Sequence, residues 1–176
     1  PQSPLSRTHA LSACAQVSAK KQVAKNTPEA ALADNLLARH KVHDESSLLA
    51  LGAADLEAAG VDRIQFDVMD GNFVPNLTFG PEMISACRKY CKTPFETQLM
   101  VSQYASEVML EEYVEATKGP NGEPGVVIVH VEACDHLHRV LNKIRDLGGS
   151  PSVALNPHTP AEAVKNVLCD VDHVLV

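Results

Sequence analysis

The chain's apolar positions change period along its length. Ile64, Phe66 and Val68 alternate with Gln65, Asp67 and Met69, the two-residue repeat of a pleated strand. Asp70-Gly71 ends the repeat as a turn dipeptide, and Gly80-Pro81 follows, with Pro81 suited to the first turn of a helix. Met83, Ile84 and Cys87 then share one side of a helix to about Tyr90, which Thr93-Pro94 closes. Phe95–Val101 predicts a second strand with Glu96, Gln98 and Met100 on one face, and Ser102 caps a helix to about Thr117. Gly119–Gly125 is a turn-rich loop. Val126–Val131 is nearly all apolar, as in a strand covered on both faces.

Helical spacing returns at Leu137, Val140, Leu141, Ile144 and Leu147 and stops at Gly148-Gly149. Ser152–Leu155 predicts a strand, Thr159-Pro160-Ala161-Glu162 a capping box opening a helix, and His173–Val176 a further strand. Strand and helix thus alternate over 63–176, the pattern of a parallel sheet, and a carboxylate (Asp67) near the end of a strand is the layout of a parallel α/β barrel's active face. Residues 29–62 form a separate helical segment: a start at Thr27-Pro28-Glu29 running to about Arg39, then a second helix through Leu48, Leu49, Gly52, Leu56 and Ala59 to Gly60. Residues 1–28 contain no acid, and Arg7, Lys20, Lys21 and Lys25 lie among Ser, Ala and Thr. That composition fits a targeting-sequence remnant, plastid before mitochondrion, or alternatively a flexible tail.

Asp67-Val-Met-Asp-Gly-Asn-Phe-Val-Pro-Asn-Leu-Thr-Phe-Gly-Pro81 resembles the signature of the ribulose-phosphate 3-epimerase family. The likeness extends through Val129–Arg139, Ala154–Pro160 and Val171–Val176, which are similar to the fourth, fifth and sixth strand regions. The resemblance implies a (β/α)8 TIM barrel of the ribulose-phosphate-binding type. Such a barrel needs eight strands and roughly 250 residues, so the C-terminal strands are expected to be missing from this chain. Either the chain is a fragment or another chain covers the apolar edge near Val176.

Inverting a carbon beside a carbonyl requires a base, an acid on the opposite face, and positive charge to hold the enediolate. The family's means are two aspartates and a divalent metal, commonly zinc, held by those aspartates and two histidines, with methionines walling the site. By resemblance Asp67 is the first aspartate, a catalytic residue and metal ligand, while Met69, Met100 and Asn156 line the substrate pocket. The two histidine positions hold Gln65 and Gln98, and an amide oxygen is a weak zinc ligand beside imidazole. The opening serine strand is not recognisable near Glu45, and His158 replaces a usual glycine.

The same residues have plainer readings. Asp67 suits a polar barrel interior, Gln65 and Gln98 can bond each other or Asp67, and Met69 and Met100 can fill a core. His130 reads as a satisfied structural histidine, while His136 and His138, two apart on a helix, diverge too far for a metal pair. Glu96 needs an interior partner or replaces a lost base. The main reading is therefore a family member degenerate in its metal site, retained as a structural or interaction subunit, with zinc weak or absent. The alternative is an active epimerase interconverting D-ribulose 5-phosphate and D-xylulose 5-phosphate.

Charge and cysteines narrow the setting. Twenty-two acids against fifteen bases give a net charge of -7, arguing against nucleic acid or an anionic membrane as partner. No apolar run reaches the length of a membrane span. Five scattered cysteines, with Cys87 and Cys91 spaced as helix neighbours, suit packing in a reducing compartment. The expected partners are a pentulose phosphate, if the chain is active, and a protein partner or a second copy. The expected location is the plastid stroma, with cytoplasm as the alternative.

Overall fold

The computed structural model describes residues 17–20 and 45–176. The helix expected over Thr27–Arg39 and most of the 1–28 tail lie outside the described residues. In chain order the elements are β1 (Val17–Lys20), α1 (Glu45–Ala58), β2 (Arg63–Met69), α2 (Pro81–Arg88), β3 (Phe95–Met100), α3 (Gln103–Val108), α4 (Leu110–Thr117), β4 (Val126–His130), α5 (Leu137–Asp146), β5 (Ser150–Ala154) and β6 (His173–Leu175). Short 3-10 segments cover Val131–Ala133 and Ala161–Asp170.

The six strands form one sheet in sequence order, and β2 through β6 run parallel. Five parallel strands alternating with helices make this part of a (β/α) TIM barrel, and every strand from β2 to β6 delivers its C-terminal end to the same rim. β1 is an addition to the expected elements: it pairs antiparallel to β2, Val17 opposite Phe66 and Lys20 opposite Arg63. Glu45 opens α1 where the family's pattern would lead one to look for a strand.

The pleat sorts each strand's residues between two surfaces. Ile64, Phe66, Val68, Phe95, Leu99, Val127, Val129 and Val153 turn outward under the helices and are buried in the main core. There Phe66 meets Phe95 edge-on at 4.7 Å and Phe79 at 6.0 Å. α4 adds Leu110, Tyr113 and Val114, and α5 adds Val140, Leu141 and Ile144. The opposite surface is the barrel lumen, where Val126, Ile128 and Ala154 form a smaller apolar cluster with Leu175 against it.

Helix ends depart from expectation in two places. The helix after Ser102 is broken at Met109, whose φ of -95° and ψ of 12° leave the helical region. Val108 and Met109 are exposed at the break while Leu110 is buried, so α4 is re-aimed to place Leu110, Tyr113 and Val114 in the core. The expected helix after Pro160 is a 3-10 segment with no side-chain cap. The Thr159 hydroxyl that would have capped it donates to Glu132 instead. By contrast α5 stops as the paired glycines predict: Gly149 N–H reaches Ile144 O, Gly148 N–H reaches Arg145 O, and Gly148 takes φ +85°.

No disulfide joins the four described cysteines, of which Cys87, Cys91 and Cys134 are buried. Burial, with Cys91 beside it, pushes the Cys87 thiol up to about 12, a packing role rather than a reactive one. Among the described residues, no helix is long and apolar enough to cross a membrane.

Candidate active site

Strand register brings the expected site residues together. Asp67 lies opposite Gln98, Gln65 opposite Glu96, and Met69 opposite Met100, all on the lumen side of β2 and β3. Gln65 is the hub. Its amide nitrogen donates to Asp67 Oδ1 at 2.7 Å and to Gln98 Oε1 at 3.0 Å. The Gln98 amide nitrogen lies 3.0 Å from His130 Nε2 on β4. An amide NH2 can only donate, so His130 accepts at Nε2 and carries its proton on Nδ1. Below them Glu96 pairs with Arg63 at 3.1 Å.

His130 is more than a lone structural residue. Its Nδ1 faces Glu132 Oε2 at 3.4 Å without hydrogen-bond geometry, and the Phe73 ring lies over it at 4.9 Å. Burial pushes the imidazole below its usual range, and the Glu132 carboxylate opposes this only in part. The neutral ring fits the Gln98 contact, because an imidazolium would set N–H against N–H. Glu132 itself accepts from Asn156 N–H at 2.9 Å and from the Thr159 hydroxyl. Burial resists its ionisation, yet the Thr159 and Asn156 donors outweigh that and hold its carboxyl below the usual range.

A second carboxylate ties the neighbouring loops. Asp70 accepts from Asn72 and Phe73 N–H, both at 2.9 Å, and from Ser102 N–H at 2.6 Å, joining the loop after β2 to the loop after β3. Burial opposes its charge, and the Ser102, Asn72 and Phe73 donors hold its carboxyl low. Thr78 completes the loop by donating to Asp67 O and accepting from Met69 N–H, both at 2.9 Å. These contacts fix Asp67, Met69 and Phe73 at the mouth. Asn156 lies just beyond β5, its backbone N–H donating to Glu132.

Sequence reasoning missed Glu132 and Asp70 as organisers of the rim. Glu132 takes a backbone amide 24 residues away and Asp70 one 32 residues away, and no local pattern announces such pairings. His136 and His138 stay outside the lumen. His138 is exposed, 3.7 Å from Asp170.

A divalent metal does not fit the atoms as they stand. Coordination needs lone pairs converging on one point. Here an N–H of Gln65 points at the Asp67 carboxylate, the Gln98 carbonyl is already an acceptor, and its nitrogen points at His130. One carboxylate and two neutral amides also make a weak zinc set. Among the described residues, no group of three or more His, Cys, Asp or Glu gathers to hold an ion.

Parallel strands alternating with helices define the class, part of a (β/α) barrel, with Asp67, Met69 and Met100 toward the C-terminal ends of β2 and β3. The sequence profile of the Ribulose-phosphate 3 epimerase family matches residues 33–176, and the chain belongs to that family. It is 45% identical over 121 residues to ribulose-phosphate 3-epimerase of Rhodobacter capsulatus, covering 69% of this chain and 50% of that protein. It is 38% identical over 122 residues to the Bacillus subtilis (strain 168) enzyme, covering 69% and 52%. It is 40% identical over 123 residues to the chloroplastic ribulose-5-phosphate-3-epimerase of Arabidopsis thaliana, covering 69% and 41%. The chain spans about half the length of the curated relatives it matches.

Proposed function

We propose that this chain is an epimerase homologue whose β2–β3 cradle holds no catalytic cation, and that it serves as a structural or interaction subunit. The carrying observation is the Gln65 amide nitrogen set between Asp67 and Gln98, an internal donor where a cation would be needed. Without a cation the two amides supply no positive charge to an enediolate, and both hydrogens of Gln65 Nε2 are already committed.

One observation favours a second reading, an active epimerase acting on D-ribulose 5-phosphate. Asp67, Met69 and the loop held by Asp70 and Thr78 retain an ordered mouth in a chain 45% identical to a ribulose-phosphate 3-epimerase. The same relatives bear on location: one is named chloroplastic, which accords with the acid-free first 28 residues and a plastid stroma assignment.

Cobalt titration separates the readings. The wild-type chain should show no d–d absorption at stoichiometric cobalt, whereas Gln65→His with Gln98→His should gain it, since imidazole supplies the ligands that the amides do not. A coupled pentulose-phosphate assay on the wild-type chain should stay at background. Stoichiometric metal in the wild type, or turnover abolished by a chelator, would overturn the main reading in favour of the enzyme.

A further inference from the structure

Two candidate site residues, Asp67 on β2 and Asn156 beyond β5, lie at opposite ends of one run of polar contacts. From Asp67 the run passes to Gln65 (2.7 Å), Gln98 (3.0 Å), His130 (3.0 Å), Glu132 (3.4 Å) and the Asn156 N–H (2.9 Å). It crosses β2, β3 and β4 and ends on the loop after β5. Gln65 and His130 are buried polar residues, so the run places directional contacts inside a buried layer.

The run has a direction. Both carboxylates can only accept, so each must be met by a donor. Asp67 draws the Gln65 nitrogen, which then also donates to Gln98 Oε1. That leaves Gln98 its nitrogen to offer to His130 Nε2, and the imidazole proton is left on Nδ1, toward Glu132. Turning either amide would set oxygen against oxygen or donor against donor. Gln65 Oε1 is buried without a partner. Asp67 therefore dictates the amide's orientation, and the carbonyl goes unsatisfied as a result.

We infer that Gln65, Gln98 and His130 form a polarity-locked relay, in which the Asp67 carboxylate sets the tautomer of His130 and so turns its Nδ1 proton toward Glu132, the carboxylate that holds the Asn156 N–H. His130 and Glu132 are positioning residues of the mouth. This rests on the reading that no cation sits between Gln65 and Gln98, because a cation there would dismantle the relay at its first link.

The test is the side-chain nitrogen spectrum of His130 in the isotope-labelled full chain. The wild type should show a protonated Nδ1 and a bare Nε2. Asp67→Asn removes the obligate acceptor, allows the amides to turn, and should shift the ratio toward the Nε2–H tautomer several-fold. Gln65→Met, which cuts the relay at its hub, should do the same and serves if the first variant does not fold. A merely structural Asp67 would leave a ring two side chains away unchanged. A His130 tautomer indifferent to both substitutions in folded protein overturns the relay. Each spectrum is repeated with zinc and with chelator. A wild-type response to zinc would instead overturn the metal-free reading, and with it the relay's first link.

Discussion

The two surfaces of this sheet are built by different rules. Outward, Ile64, Phe66, Val68, Leu99, Val127 and Val153 lie under the helices with almost no exposure, and their contribution is buried area without direction. Inward, Gln65, Asp67, Gln98 and His130 are joined by bonds that work only with each donor facing an acceptor. Any apolar residue of about the right size satisfies the outer surface. The inner surface changes its chemistry when one atom changes type. This is how a chain can share 45% identity with a relative over 121 residues and still join Gln65 and Gln98 in a network of its own.

The outer surface should give the largest loss. Phe66 touches Phe79 and Phe95 in the middle of the core. Phe66→Ala should cost about 3–5 kcal/mol, through lost transfer energy and the cavity left behind. Denaturant unfolding of the isolated chain measures it. A cost below about 1 kcal/mol would mean that the helices do not press on the sheet as described.

Adjacent residues of β3 then set the two rules side by side. Gln98→Leu leaves a Gln65 hydrogen and His130 Nε2 unpaired, and should cost about 1–3 kcal/mol. Thr97, its outward neighbour, shares a 2.7 Å bond with Thr117, but the Thr117 hydroxyl also donates to Tyr113 O. Thr97→Val therefore strands little and should cost less than Gln98→Leu. Equal losses in the unfolding midpoints would erase the distinction between the surfaces.

How much of this the sequence discloses follows from the same division. β2, β3 and β4 are legible because alternation or a continuous apolar run records which side is covered. α5 is legible because Gly148 and Gly149 are the chemistry of its stop. The break at Met109 is not legible, since neither glycine nor proline marks it and only the packing of Leu110 explains it. The 3-10 segment after Pro160 was hidden because Thr159 is claimed by Glu132, a residue 27 positions earlier. In the lumen, Gln65 and Gln98 stand out against the family pattern, but their link to His130 depends on three strands in register. Directional contacts between distant strands leave no period to read.

Acid should weaken the lumen before the outer core. The depressed His130 value means that the folded state binds fewer protons than the unfolded chain, whose imidazole titrates near 6.5. Its contribution is complete above that value and declines as pH falls through it toward the lower folded value. Glu132 and Asp70, held below 4.5 and 3.8, contribute fully above those values and lose it at lower pH still. Stability measured from pH 7.5 to 3 should fall in two windows. His130→Asn should flatten the upper window, and Glu132→Gln the lower one. A single fall confined below pH 4.5 in the wild type would show that His130 does not titrate as an element of the fold.

The smallest effect expected comes from the methionines, and it tests where the lumen stops being a core. Met69 and Met100 face each other across β2 and β3 at the rim and are only half-buried, whereas Ile64 on the outer side is fully covered. A thioether side chain at an open rim has few neighbours to disturb, so Met100→Leu should change stability by less than about 0.5 kcal/mol. Ile64→Leu conserves volume as well, but the new branch must fit a filled space, and up to about 1.5 kcal/mol should be lost. If the rim swap costs as much as the core swap, the upper lumen is packed solid, and Met69 and Met100 fill a core rather than wall a pocket. If it costs nothing, the methionines line open space at the mouth, beside the Asp67 carboxylate and the loops that Asp70 and Glu132 hold in place.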